Sequence, residues 1–418
     1  MYIICISGRR RGGLRFGSAP SGKGESSVES LSRKLQVSKE NTGLLYIMYF
    51  AFFCSGMMST LLGTILPSMK AEYQMSYVLS GMVLSAHQIG NFCAVLIAGF
   101  LPYAIGRKKS TLLLCSGIAI GLVLMTVTGN PAVLLVAFVA TGIGRGTMSN
   151  ITNVVVSEVA ENKAGGLNIL HATFAVGAFI SPFIAILTTS TLRLSWKVAA
   201  LIVASFAVVT LILIATSSLS SEPMPRRSNG GKSFATSFSF WLNTFILFFY
   251  LCAEASIIGW LVTYFKESGI MGTSLAQSTS SLLWIMVMIG RITCASISNK
   301  VDKNKLILGL GLSMTIFFLL MISTRNIKVI FPSLLGVGLC MSGIYPTTLS
   351  TMDRRFNSST VATGTCIATA TVGAIVMPMV VGAIAERQGI AGGIGSISVA
   401  LGMMVVLMIV KLAMSRKH

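Results

Sequence analysis

Apolar stretches of about twenty residues recur along the chain, separated by short polar segments. A stretch of roughly 18 or more apolar residues with few charges is long enough to cross the hydrocarbon core of a bilayer as a helix. On that criterion the pattern predicts twelve spans, over residues 43–66, 77–101, 110–128, 131–156, 167–188, 195–216, 237–264, 275–299, 304–323, 327–352, 358–385 and 390–414. The composition fits: 53% of residues are apolar and 11% charged, against about 25% charged in a soluble domain, and the mean hydropathy is +0.80. Residues 1–40 are rich in Gly, Ser and Arg. They lack the apolar core of a signal peptide and are expected to form a disordered cytoplasmic tail.

The net charge of +20 would suggest a nucleic-acid partner if the basic residues formed a patch. Their distribution excludes that reading. With the N-terminus cytoplasmic, 23 of the 32 Lys and Arg fall in tails and loops on the cytoplasmic side, seven on the outer side, and Arg145 and Arg291 inside spans. This positive-inside bias predicts that both termini are cytoplasmic. Of the eight cysteines, Cys5 alone lies outside the spans. No C-x-x-C or zinc-ligand spacing occurs, so neither a disulfide nor a metal is expected.

An internal repeat sets the architecture. ATFAVGAFISP at 172–182 and ATATVGAIVMP at 368–378 share the pattern A-T-x-x-V-G-A-x-x-x-P at an offset of 196. The same offset pairs Gly63 with Gly259, Lys70 with Lys266, Gly142 with Gly338, and the basic loop at Arg107 with that at Lys303. It spans six helices, an even number, so the two halves run in the same direction, as parallel-repeat transporters do. The expected organisation is a six-helix bundle over 41–216, a cytoplasmic linker over 217–236 and a second bundle over 237–418.

Several segments carry a resemblance: GMMSTLLGTILPSM in span 1, the IGRKKS loop, LNILHATFAVGAFISP in span 5, AEASIIGWLVTYF in span 7, IYPTTLS in span 10 and TVGAIVMPMVVGAIAERQG in spans 11–12. Over residues 43–414 the chain resembles the major facilitator superfamily and, within it, the fucose/galactose/glucose–proton symporters. The resemblance implies an all-α membrane protein of twelve helices in two parallel six-helix halves. It implies a cavity lined chiefly by spans 1, 4, 7 and 10. The chain departs from the group in places. No acid stands in LLGTILP, where fucose permeases carry an Asp, and span 4 has Ser149 with no Glu near it.

Polar residues at mid-depth are candidates for the site, because an ionisable group inside a membrane is costly and usually functional. On span 7, Glu254 shares a face with Tyr250 and Asn243. On span 4, Arg145 heads a polar stripe with Ser149 and Asn153. Span 2 offers His87, Gln88 and Asn91, whose amides suit sugar hydroxyls. Span 8 offers Trp284, whose indole can stack on a sugar ring, and span 10 offers Tyr345. Glu254 and His87 are the candidate proton-coupling residues. Arg107, Glu158, His171 and Arg291 are candidate gating residues, with Arg291 expected to meet a helix end or Glu158. Each also has a plain structural reading: helix–helix hydrogen bonding for Arg145, a satisfied buried imidazole for His87, packing for Trp284.

No enzyme signature is present: no H-E-x-x-H, no G-x-S-x-G, no phosphate-binding loop. With no ATP site, transport is expected to follow an ion gradient or run downhill. The leading expectation is a sugar-like solute carried by alternating access with proton coupling, by a monomer in the plasma membrane and without a cofactor. Efflux of drugs or amphiphiles is an alternative, and a non-transporting membrane sensor a third. A tag at either terminus is expected to be reachable only after permeabilisation; labelling of residues 217–236 in intact cells would overturn that topology.

Overall fold

The computed structural model describes residues 35–98, 100–222, 236–297, 300–352 and 360–415. The tail expected over 1–40 and the linker expected over 217–236 therefore lie largely outside the described residues. Twelve long helices form: α1 Lys39–Glu72, α2 Tyr77–Ala98, α3 Arg107–Val127, α4 Pro131–Val159, α5 Lys163–Ile186, α6 Trp196–Thr216, α7 Phe238–Glu267, α8 Thr273–Ile297, α9 Lys303–Ile322, α10 Ile327–Ser350, α11 Thr360–Gly395 and α12 Ile397–Ser415. Each corresponds to one of the spans that hydropathy predicts. A short helix, Leu101–Ile105, precedes α3, and α5 ends in a π-helical turn, Leu187–Thr191. The segment Ala362–Ser415 is long and apolar enough to read as one run of 54 residues, which at about 1.5 Å per residue is far too long for one crossing. Gly389, with φ 75° and ψ 169°, breaks it, and the chain turns back.

Helix starts are legible residue by residue. The Asn130, Asn162, Ser195, Ser237, Asp302 and Asn326 side chains each accept from a backbone N–H in the first turn of the helix that follows, as side-chain caps do. The basic run Arg107–Lys109, expected as a loop, forms the first turn of α3. Gly106 before it has φ +85°, and a Cβ there would lie 2.2 Å from the Ser221 carbonyl oxygen. The start of the linker is thus laid against this corner, and Lys108 N–H donates to Ser220 O at 2.9 Å.

The packing repeats with the sequence. α1 packs on α4, α5 and α6, α2 on α4, and α3 on α4 and α6. Six helices later, α7 packs on α10, α11 and α12, α8 on α10, and α9 on α10 and α12. The halves meet where α2 packs on α11, α5 on α8, and α1 on α7. These cross-half contacts are themselves related by the six-helix shift, as a two-fold axis along the membrane normal requires. Large apolar side chains such as Leu113, Val127, Val136, Ile212, Ile316, Val399 and Val406 stay exposed on the outside. In water that surface would be a liability; in a bilayer it faces lipid.

Glycines set the helix separations. A Cβ on Gly90 would lie 2.0 Å from Val139 O, and one on Gly142 1.9 Å from His87 O, so α2 and α4 are in backbone contact. Gly177, in the repeated motif, would place a Cβ 2.0 Å from Phe53 O, and its partner Gly373 one 2.3 Å from Phe248 O. Forcing larger side chains into such seams costs about 1–3 kcal/mol. G142L and G373L are each expected to lower the apparent Tm of the purified protein in detergent. G309A, at a position with nothing within 4 Å of the added carbon, should leave it unchanged.

Candidate transport site between the halves

Four polar side chains reach one level. Counted from the far end, away from the termini, Ser59 on α1, Asn91 on α2, Arg145 on α4 and Glu254 on α7 all lie about 20 Å deep at about 1.5 Å per residue. Arg145 Nη1 donates to Asn91 Oδ1 and Nη2 to Ser59 Oγ, both at 3.4 Å. These are long contacts to neutral acceptors. Its Nε is buried and has no acceptor among the described residues, and leaving a buried donor unmatched costs about 1–3 kcal/mol.

Across the interface, Glu254 is half-buried. Its Oε1 lies 3.0 Å from Tyr250 Oη, which also lies 2.9 Å from the Met341 carbonyl oxygen on α10. A phenol carries one proton, so Tyr250 cannot donate fully to both. With Glu254 ionised, the carboxylate and the carbonyl compete for that proton. With Glu254 protonated, its O–H donates to Tyr250 and Tyr250 donates to Met341. Arg145 and Glu254 do not form an ion pair here; the ion pairs among the described residues are Lys70–Glu267, Arg107–Glu158 and Lys197–Glu72. The two charges sit at matching depth in opposite halves, within electrostatic reach of each other.

The other candidates divide. His87 is buried on the α2–α4 seam, Nδ1 3.0 Å from Thr141 Oγ1. The Thr141 hydroxyl also donates to Phe138 O at 2.7 Å, on its own helix. Gln88 is half-buried beside it. Asn153 turns its amide back to Ser149 O at 2.7 Å, within α4. Trp284 is 5% exposed and stands edge-on to Phe174 of α5 with ring centroids 5.4 Å apart; its Nε1 has no acceptor among the described residues. Tyr345 faces Tyr250, centroids 6.3 Å apart.

Among the gating candidates, Arg107 grips Glu158 in a fork at 2.5 and 2.7 Å, tying the start of α3 to the end of α4. Glu158 is therefore not the partner of Arg291, which is exposed on α8. His171 packs edge-on against Phe52, centroids 5.4 Å apart.

The hydrogen bonds also define the state of the molecule. Those that join the halves lie towards the far end. Lys70 and Tyr77 Oη bind Glu267, Tyr77 N–H and Val78 N–H donate to Glu386 Oε2 at 2.7 and 3.4 Å, and Ser281 donates to Phe179 O at 2.8 Å. Glu386 of α11 thereby caps the first turn of α2 from the opposite half. At the terminus-bearing end each such bond among the described residues stays within one half, as in Arg107–Glu158 and in Lys411, which donates to Asn243 Oδ1 at 2.6 Å and also to Thr351. The molecule is closed at the far end. Sequence reasoning missed this lock and the Lys411 cluster; the pairing of Lys70 with Lys266, next to Glu267, was the available signal for the first.

Comparison with known proteins bears on the class. The model of the Major Facilitator Superfamily matches residues 48–378, and the chain belongs to that superfamily: a multi-pass membrane transporter, and not an enzyme. It is 23% identical to an uncharacterised MFS-type transporter of Yersinia pestis, over 88% of this chain and 93% of that one. It is also 23% identical to a glucose/galactose transporter of Brucella abortus, over 84% of this chain and 90% of that one. A bacterial homologue of the human lysosomal transporter Spinster, in an inward-facing and occupied conformation, superposes with a TM-score of 0.74 at 12% identity, covering 89% of this chain and 97% of that one. At that identity the likeness is one of fold.

The Arg107–Glu158 fork is partly exposed, and such pairs couple by about 0.2–1 kcal/mol. A double-mutant cycle of R107A and E158A on apparent Tm is expected to give a coupling in that range, with the larger consequence in transport rate, because the pair fixes the α3–α4 corner.

Proposed function

We propose that the protein carries a small, sugar-like solute through the interface between two bundles, 41–216 and 237–418, that rock against each other, and that proton uptake at Glu254 drives accumulation. The observation that carries this reading is the single level shared by Ser59, Asn91 and Arg145 from one half and Glu254 from the other, with the two charges unbonded to each other. An ion pair already closed would leave little for a substrate or proton to do. Two separated charges at one depth let either one change the attraction between the halves. The relative named a glucose/galactose transporter supports the sugar-like class at 23% identity.

In this scheme Asn91, Arg145 and Trp284 bind the solute, with Gln88, Ser149, Asn153 and Tyr345 near its path. Protonation of Glu254 removes the negative end of the cross-half attraction and converts Tyr250 from a divided donor into a full donor to Met341. Closure at the terminus-bearing end must bring Arg291 and His171 nearer the opposite half while the Lys70–Glu267 and Glu386 contacts release. The termini are assigned to the cytoplasm of a plasma-membrane monomer.

The test is E254Q in proteoliposomes. Accumulation driven by a proton gradient is expected to fall to the equilibrium level, while substrate exchange across the membrane persists, because Gln keeps the size and loses the titration. Continued gradient-driven accumulation would remove Glu254 from the coupling role and turn attention to His87 or to an ion other than the proton. Alanine at Asn91 or Trp284 is expected to weaken substrate binding with folding intact; unchanged affinity in both would count against the site.

A further inference from the structure

The charges and unmatched donors of the inner face have a common sense. Besides Glu254, the charged side chains placed well inside the spans are Arg145 and Arg291, so this region is net positive. Arg145 has no carboxylate within ion-pair distance; its partners are a neutral amide and a hydroxyl at 3.4 Å. Arg291 forms no hydrogen bond or ion pair among the described residues and is exposed on α8. Both lie within electrostatic reach of the single carboxylate, which cannot neutralise two guanidiniums.

The unmatched buried atoms among the described residues are mostly Ser and Thr hydroxyls, with one amide oxygen, on Asn304, and three N–H donors. Arg145 Nε, Trp284 Nε1 and Gln277 Nε2 are buried N–H donors without an acceptor among the described residues. Gln277, Trp284 and Arg291 are seven residues apart in succession on α8, so they share one face. Gln277 and Trp284 are 1% and 5% exposed. A row of donors on α8, taken with the Arg145 guanidinium on α4, suits a ligand rich in acceptors. A neutral polyol brings as many donors as acceptors. A carboxylate or phosphate brings acceptors and no donor when ionised, and its pairing with a guanidinium is the stronger, charge-assisted kind.

Resting on the transport reading above, we propose that the substrate is anionic: its oxyanion is bound by Arg145, with Nε joining the contact, and the donor face of α8 contributes along the path. Asn91 and Ser59, which accept from Arg145 at 3.4 Å, would then yield that guanidinium to the oxyanion. Glu254 gains a second effect in this arrangement. While ionised it repels the arriving anion, and once protonated it leaves the positive charge uncancelled, so proton and anion favour each other's binding.

The experiment is a thermal-shift and competition panel on the purified full chain, using matched sets: glucose with gluconate and glucose 6-phosphate, galactose with galacturonate, and succinate and benzoate as anions without a sugar skeleton. The acidic members are expected to stabilise the wild type, and their neutral partners not. R145Q is expected to weaken the acid by tenfold or more, which is about 1.4 kcal/mol, and R145K to retain part of it. Should R145Q fail to fold, the wild-type comparison and R145K still decide. Stabilisation by a carboxylate or by a phosphate supports the proposal and tells which oxyanion is preferred. Neutral sugars binding as well as their acids would overturn it while the sugar reading stands. Succinate or benzoate binding through Arg145, with no sugar acid binding, would uphold the anion and remove the sugar. If nothing in the panel shifts the wild type, both readings fall.

Discussion

Inside a bilayer no water is present to pair with a peptide group, and that constraint shapes everything else here. Every N–H and C=O in the hydrocarbon region must be matched within the protein, so the chain crosses as helices. The same solvent removes the usual reason for helices to stick together, because lipid is as apolar as leucine. Helices must then hold by close contact. The seams at Gly90 and Gly142, and at Gly177 and Gly373, are that contact: backbone against backbone, at a separation no side chain would allow.

Rigid seams within each half are what make motion between the halves possible. α2 is fixed to α4 by glycine contact and by His87–Thr141, and α3 to α4 by Arg107–Glu158. Between the halves glycine contacts occur as well, a Cβ on Gly63 lying 2.4 Å from Ile258 O and one on Gly81 2.6 Å from Pro378 O, while the hydrogen bonds there are carboxylates on backbone N–H groups, an ammonium on a carboxylate and a serine on a carbonyl. Such groups find water as a substitute partner when the far end opens.

The site follows from the same logic. Arg145 and Glu254 come from helices of opposite halves that no packing seam joins, so their separation changes with the state of the molecule. Their environments differ in one respect. Glu254 has Tyr250, a donor with a choice of acceptors, whereas Arg145 has weak neutral acceptors and an unmatched Nε. The basic side is the one left unsatisfied.

Hydropathy alone located all twelve helices, because the length of an apolar run is a local property that the bilayer reads directly. The offset of 196, with its matched glycines, set the parallel repeat. Capping residues such as Asn130 and Asp302 were equally local. What the sequence could not supply was partnership. Glu158 stood in the sequence as a partner for Arg291, and the α3–α4 corner gave it to Arg107 instead. Lys411 read as one more terminal charge, yet it reaches Asn243 and Thr351 across two other helices. Arg145 and Glu254 share a depth, which helix rise fixes, but not a contact, which depends on how far apart the two halves stand. Depth and periodicity are written along one chain; distance between helices is decided where side chains from separate helices compete for the same space and the same hydrogen bonds.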